Sequence, residues 1–150
     1  MTDLIIRVAT HDDIPALAQI RGSLSGYKEL WHDRISAYMN CTHHPQHALR
    51  PRIIYVAIVD GTIVGFIAGH LTQRFDCDGE LQWINVIENF ARKGIASKLV
   101  KNLATWFATQ HASRICVDPG DDKARLFYAA NGAKSLDPHW MYWPDIKSII

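Results

Sequence analysis

"NVIENFARKGIASKLVKNLATWF", residues 85–107, decides how this chain is read. A β-branched run ends in a polar turn, Arg92, Lys93 and Gly94 follow, and the apolar positions Ile95, Leu99, Leu103 and Trp106 or Phe107 then recur at helical spacing. A strand that feeds a helix through a short glycine-bearing turn aims the unpaired N–H groups of the first helical turn at one place. Those groups and the helix dipole favour an anion, with phosphate the usual guest. Gly94 lets the backbone be approached closely, Ala96 keeps the second approach point small, and Arg92 and Lys93 add charge. Arg92, having a side chain, is expected at negative φ. The stretch is neither a GxxxxGK[ST] phosphate loop nor a three-glycine dinucleotide fingerprint. On the residues alone, a helix that merely begins after a turn with solvated cations reads equally well.

Working outward, "RIIYVAIVDGTIVGFIAGHL" (52–71) is a hairpin turned by Asp60-Gly61, and "ELQWINVI" (80–87) is the strand that leads into the glycine turn. "LIIRVA" (4–9) reads as a first strand. Thr10 offers a helix cap, followed by Asp12 and Asp13 and the apolar positions Ile14, Leu17 and Ala18. Gly22 and Gly26 loosen the chain before a second helix, "YKELWHDRISAYMN". After the central helix come a short strand "RICVD", a helix "DKARLFYAAN" opened by Asp121 and stopped by Asn131-Gly132, and one or two short closing strands containing "HWMYW". The order β-α-α-β-β-β-α-β-α-β makes a mixed α/β sheet with helices packed on it.

At 150 residues the chain is long enough for one domain with one substantial core, and 48% hydrophobic with 21% charged residues is an ordinary globular balance. A net charge of +1 argues against a nucleic-acid or anionic-membrane partner. "MTDLIIRVATHDD" turns acidic where a signal peptide would stay apolar, and no stretch approaches a bilayer-spanning length. Three cysteines (Cys41, Cys77, Cys116) without CxxC spacing suit free thiols in a reducing compartment, so a cytoplasmic protein is expected. "HHPQH" (43–47) lacks the carboxylate or cysteine partner a metal site needs, and Pro45 breaks any helix through it, so no metal is expected.

Strand, "ARKGIA", helix, strand and "DDKARLFYAANGA" together resemble the GCN5-related N-acetyltransferase (GNAT) family. Ala91 to Ala96 occupy its Arg/Gln-x-x-Gly-x-Gly/Ala motif, with Ala91 in place of the usual Arg or Gln and Arg92 where glycine is frequent. Asp121, Ala124, Tyr128 and Gly132 occupy its second motif, roughly Asn-x-x-Ala-x-x-x-Tyr-x-x-x-Gly, with Asp121 replacing the Asn. The opening strand and helix and the central hairpin fit as well, so the likeness spans nearly the whole chain as a single N-acetyltransferase domain.

The resemblance implies a mostly antiparallel sheet with helices on both faces and a splay between the fourth and fifth strands. It implies acetyl-CoA as co-substrate and direct transfer of the acetyl group to a primary amine of a small molecule or peptide. The pyrophosphate would lie over residues 92–97 (Arg92, Lys93, Gly94, Ile95, Ala96, Ser97), and the pantetheine arm along Ile84, Asn85 and Val86. An amide near Val86 would polarise the thioester, Tyr128 would protonate the departing thiolate, and Asp121 belongs to the cofactor side. Glu80 is the candidate base, with Asp78, His70 or water as alternatives. Period-2 alternation would put Glu80 on one face with Gln82, Ile84 and Val86, and Trp83 on the other. Trp31 and Tyr142 are the candidate acceptor-binding aromatics. A homodimer is compatible with the family and with an aromatic closing strand. The departures at Ala91 and Arg92 keep a second reading open, a non-catalytic acyl-CoA-binding or regulatory module.

Overall fold

The structure is a computed structural model that describes residues 3–25 and 27–150, and of residues 23–25 only the backbone. Gly26, expected to loosen the chain, lies outside the described residues. Seven strands form one sheet: β1 (Leu4–Val8), β2 (Leu49–Val59), β3 (Thr62–Leu71), β4 (Gly79–Val86), β5 (Ile115–Val117), β6 (Lys134–Ser135) and β7 (Met141–Trp143). Their order across the sheet is β1-β2-β3-β4-β5-β7-β6, antiparallel except for the β4–β5 pair. This is the mixed, mostly antiparallel architecture expected from the sequence, closed by two short strands.

Each element has a local cause. The β2–β3 hairpin turns on Asp60 (φ 52°) and Gly61 (φ 77°), the two positive φ values that a tight two-residue turn requires. Four helices, α1 (Ile14–Ser25), α2 (Lys28–Met39), α3 (Ile95–Thr109) and α4 (Asp122–Ala130), cover the sheet on both faces. A short 3₁₀ turn precedes α1, and there Asp13 accepts from the Thr10 amide at 2.8 Å and from Nη1 and Nη2 of Arg7. Asp121 caps α4 by accepting from the Ala124 amide at 2.7 Å. Gly22 does not loosen the chain. It sits inside α1 where α2 begins to cross, and a Cβ there would stand 2.6 Å from Lys28 Cα.

The sheet separates two cores. On one face α1 and α2 bury Leu17, Ile35 and Tyr38 against Val56, Phe66 and Trp83. On the other, α3 and α4 bury Leu99, Leu103, Phe107 and Tyr128 against Ile67, Leu81, Ile115 and Trp143. Met141 and Trp143 point into this second core while Trp140 and Tyr142 take the opposite face, in line with their alternation.

β4 serves both cores through an irregularity. Ala68 faces Trp83 but the next residue, Gly69, faces Leu81, so Gln82 is an extra residue in β4. The extra residue reverses the alternation. Leu81, Ile84 and Val86 lie on the α3 face, whereas Trp83 lies on the α1/α2 face. Glu80, opposite His70, is on the α1/α2 face too. The expectation of one face for Glu80, Gln82, Ile84 and Val86, with Trp83 opposed, is therefore wrong. Simple alternation fails at a bulge, and Glu80 and Trp83 share a side.

Close packing where β4 begins gives a test of this core. A Cβ on Gly79 would overlap the Phe107 ring and come within 3.0 Å of Ile115 Cδ1. Gly79→Ala should lower stability by about 1–3 kcal/mol through overpacking. The readout is a lower urea midpoint with unchanged slope, and an unaltered midpoint would contradict the packing described.

Candidate active site

The site starts where β4 loses its neighbour. β5 pairs with β4 only from Gly79 opposite Ile115 to Leu81 opposite Val117, while β4 runs on to Val86. Beyond Val117 the chain turns away through Pro119 and Gly120 towards α4. The phase of the β3–β4 ladder then fixes which amides face the gap. The Ile87 amide donates to the Val64 carbonyl at 2.8 Å, and the register places Asn85 opposite Phe66 in the same phase. In an antiparallel ladder the intervening residues, Ile84 and Val86, point their N–H and C=O groups the other way, into the opening. Asn85 differs from the sequence expectation: its amide faces β3, and it is its side chain that acts, accepting from Arg21 Nη1 at 2.6 Å.

At the end of β4 lies the glycine turn. A 3₁₀ turn over Glu88–Phe90 leads to Arg92 at φ 63° and Gly94 at φ 81°, which is the N-terminal cap residue of α3. Arg92 was expected at negative φ. Instead it adopts the left-handed conformation itself, because the chain must reverse twice within a few residues to enter α3. Among the described residues the amides of Arg92 to Ser97 have no acceptor, and the first carbonyl used is that of Gly94, which accepts from the Lys98 amide at 3.1 Å. A Cβ at Gly94 would meet nothing within 4 Å. Lys93 holds its ammonium 5.2 Å from the Phe90 ring centre. This cluster of open amides with two cations, clear of side chains, fits a diphosphate.

Across the opening, Tyr128 projects from α4 with its ring edge-on to Trp143, 6.1 Å between centres. Its hydroxyl has no hydrogen-bond partner among the described residues. Burial, with Asp118 and Asp121 adding to it against Arg21, pushes its pKa up to about 12. The mutual influence of Tyr128 and Arg21, and the bond from Arg21 to Asn85, put the phenol in electrostatic reach of the end of β4.

Glu80 is not a solvated strand-end carboxylate: only 6% of it is exposed. Its Oε1 accepts from Arg74 Nε at 3.2 Å and lies 3.5 Å from His70 Nε2. His70, 1% exposed, contacts the buried Tyr38 hydroxyl through Nδ1 at 2.8 Å. Burial holds the Tyr38 pKa far above its usual value, so the phenol stays protonated and able to donate to Nδ1, while Nε2, though 3.5 Å from Glu80 Oε1, is buried without a hydrogen-bond partner. Asp78 is occupied elsewhere, accepting from the Ser113 and Arg114 amides at 2.9 and 3.0 Å.

The two aromatic candidates do not meet. Trp31 stacks edge-on to Trp83, 5.6 Å between centres, in a cluster with Tyr38 and His43. Tyr142 lies on β7 beneath the Arg114 guanidinium, 4.4 Å from its ring centre. Sequence reasoning missed Arg21, Tyr38 and Arg74. Each acts across elements distant in the chain, and the one available signal was the position of Arg21 on the apolar face of α1.

A family model described as the acetyltransferase (GNAT) family matches residues 23–133. The chain belongs to this family. GNAT folds among solved structures align with nearly all of it. The PaiA N-acetyltransferase of Thermoplasma acidophilum, solved with coenzyme A, is 14% identical with a TM-score of 0.71, covering 95% of this chain and 99% of its own. An aminoglycoside N-acetyltransferase, AAC(6')-Iy, also solved with coenzyme A, is 17% identical with a TM-score of 0.75 and 91% of each chain covered. An acetyltransferase of Thermus thermophilus is 16% identical with a TM-score of 0.67, covering 93% of this chain and 94% of its own. No curated protein matches the sequence. No helix among the described residues is long and apolar enough to cross a membrane.

Two histidines, His70 buried and His43 half-buried, set a pH dependence. Burial is the first cause that lowers both His70 and His43 from the ordinary imidazole value of 6.5, His43 to about 4. The unfolded chain takes up these protons near its ordinary value while the folded chain does not, so stability is complete above pH 6.5 and falls as pH drops towards 4. Urea midpoints measured through this window should decline with acid, and His43→Asn should flatten the decline. An identical slope in the variant would refute the part assigned to His43.

Proposed function

We propose that this GNAT protein is an N-acetyltransferase that transfers the acetyl group of acetyl-CoA to the primary amine of a small molecule or peptide, acting as a single domain. One observation carries the reading: β4 parts from β5 between an open amide cluster and an unpartnered phenol. The amides of Arg92 to Ser97, with Lys93, would hold the pyrophosphate. The Ile84 and Val86 backbone would take the pantetheine arm, and Asp121 contributes by capping the helix that presents Tyr128. The coenzyme A bound by the PaiA and aminoglycoside enzymes supports this co-substrate.

The chemistry follows from which groups face the opening. The Val86 N–H polarises the thioester carbonyl and stabilises the oxygen as charge develops on it. The neutral amine forms the new C–N bond as the C–S bond breaks. Tyr128 gives its proton to the leaving sulfur. The burial that keeps the phenol protonated also raises the proton affinity of a thiolate in the same gap, so the two groups remain matched. Glu80 accepts the amine's proton through water from the α1/α2 face, where the acceptor enters. Arg74 fixes its carboxylate by a hydrogen bond, with the His70 ring beside it.

The alternative, a non-catalytic acyl-CoA-binding module, rests on Ala91 and Arg92. Arg92 at φ 63° takes the conformation a glycine would supply, which leaves the amide cluster intact. Two measurements decide between the readings. Acetyl-CoA at 100 times its Kd should stabilise the protein by about 2.7 kcal/mol. With a panel of amines the protein should release free thiol, and Tyr128→Phe should lower kcat by about 100-fold while keeping the stabilisation. Stabilisation without thiol release for any amine would establish the module, and no stabilisation would refute both.

A further inference from the structure

The last turns of α1 carry a cation that the protein does not neutralise. Arg21 is half-buried and donates through Nη1 to Asn85 Oδ1, a neutral partner. Its guanidinium carbon lies 4.6 Å from the Trp31 ring centre and 5.8 Å from that of Trp83, and its Nε is sealed from solvent with no partner. Arg34 approaches the same Trp31 ring at 5.0 Å. Burial, and then repulsion by Arg34, lower the Arg21 pKa. Among the described residues no carboxylate pairs with either arginine; the acids in ion pairs there are Asp13, Glu80 and Asp118, each with another partner.

Aromatic faces and one amide oxygen engage a guanidinium without cancelling its charge, and a sheltered charge without a counter-ion is costly to keep. The missing anion has a defined place. Asn85 is adjacent to Val86, whose amide faces the opening, and Asn85, Trp83 and Glu80 share the α1/α2 face of β4. That face therefore has an unmatched cation at the Asn85 end and a carboxylate at the Glu80 end. Resting on the acetyl-transfer reading above, we infer that Arg21, supported by Arg34, binds the carboxylate of the acceptor, and that the acceptor is an amine bearing an acid group, of the amino-acid kind. Arg21 presents two N–H groups in the fork that a carboxylate accepts, and the amine of the same molecule then lies towards Val86 and Glu80.

The test pairs free amino acids with their carboxamides as acceptors and uses the N-acetylated acid and N-acetylated amide as binding probes that need no turnover. The wild type should favour acids over amides by about 10-fold or more in kcat/KM, and N-acetyl acids alone should raise its melting temperature in the presence of coenzyme A. Arg21→Gln should abolish the preference by raising KM for acids far more than for amides, with stabilisation by acetyl-CoA retained, and Arg21→Lys should restore part of it. Should Arg21→Gln fail to fold, Arg34→Gln at an exposed position should still reduce the preference. Equal or better use of amides by the wild type, or an Arg21→Gln loss of kcat equal for acids and amides, overturns the inference. So does stabilisation by acetyl-CoA with no response to any acid. Loss of acetyl-CoA stabilisation in the wild type instead refutes the acetyl-transfer reading beneath it.

Discussion

The structure depends on a strand that outlives its pairing. β4 hydrogen-bonds to β3 along its length but to β5 over only three residues, so five residues of one edge, 82–86, face an opening rather than a neighbour. A sheet interior normally leaves no backbone group unpaired. Here the unpaired groups lie on the stretch of β4 that leads into the first turn of α3. The two cores hold the wedge open. Leu99, Leu103 and Phe107 pack beneath β4 on one side, and Trp83 is clamped by α2 on the other. Neither core can close the gap without losing contacts of its own.

The polar groups divide by face. The α3 side has the open amides and cations suited to a diphosphate. The α1/α2 side has Glu80 beside buried His70 and half-buried Arg74, and Arg21 with its amide partner. Tyr128 is rooted in the α3/α4 core yet feels the charge of Arg21 from the α1/α2 side. For the acetyl transfer proposed above, the two substrates would approach from opposite faces of the sheet and meet at the parted edge of β4.

Much of this was legible in the chain. The hairpin at Asp60-Gly61, the amphipathic α3 and the Asp121 cap follow from local rules, because turn chemistry and helical spacing act within a few residues. The misreadings share a different origin. Gln82 is squeezed out of register by how β4 must fit both β3 and β5, and nothing in "ELQWINV" marks the site. Arg92 adopts a positive φ because the route into α3 demands it, against the preference of its own side chain. The enclosure of Glu80 needs His70 from β3 and Arg74 from the following loop, and Gly22 has meaning only once α2 crosses α1. Sequence spacing fixes neighbours along the chain but not those across it.

The extra residue at Gln82 has a consequence for how such a protein can change. It works as a phase shifter: before it the even-numbered Glu80 faces α1 and α2, and after it the odd-numbered Trp83 and Asn85 take that face while Ile84 and Val86 turn to α3. Deleting one residue there would exchange inside for outside along half the strand, whereas swapping the Gln82 side chain would leave the phase alone. Evolution of a new acceptor preference on this scaffold is thus free to vary the residues on either side of the bulge, provided the count of residues through it is kept.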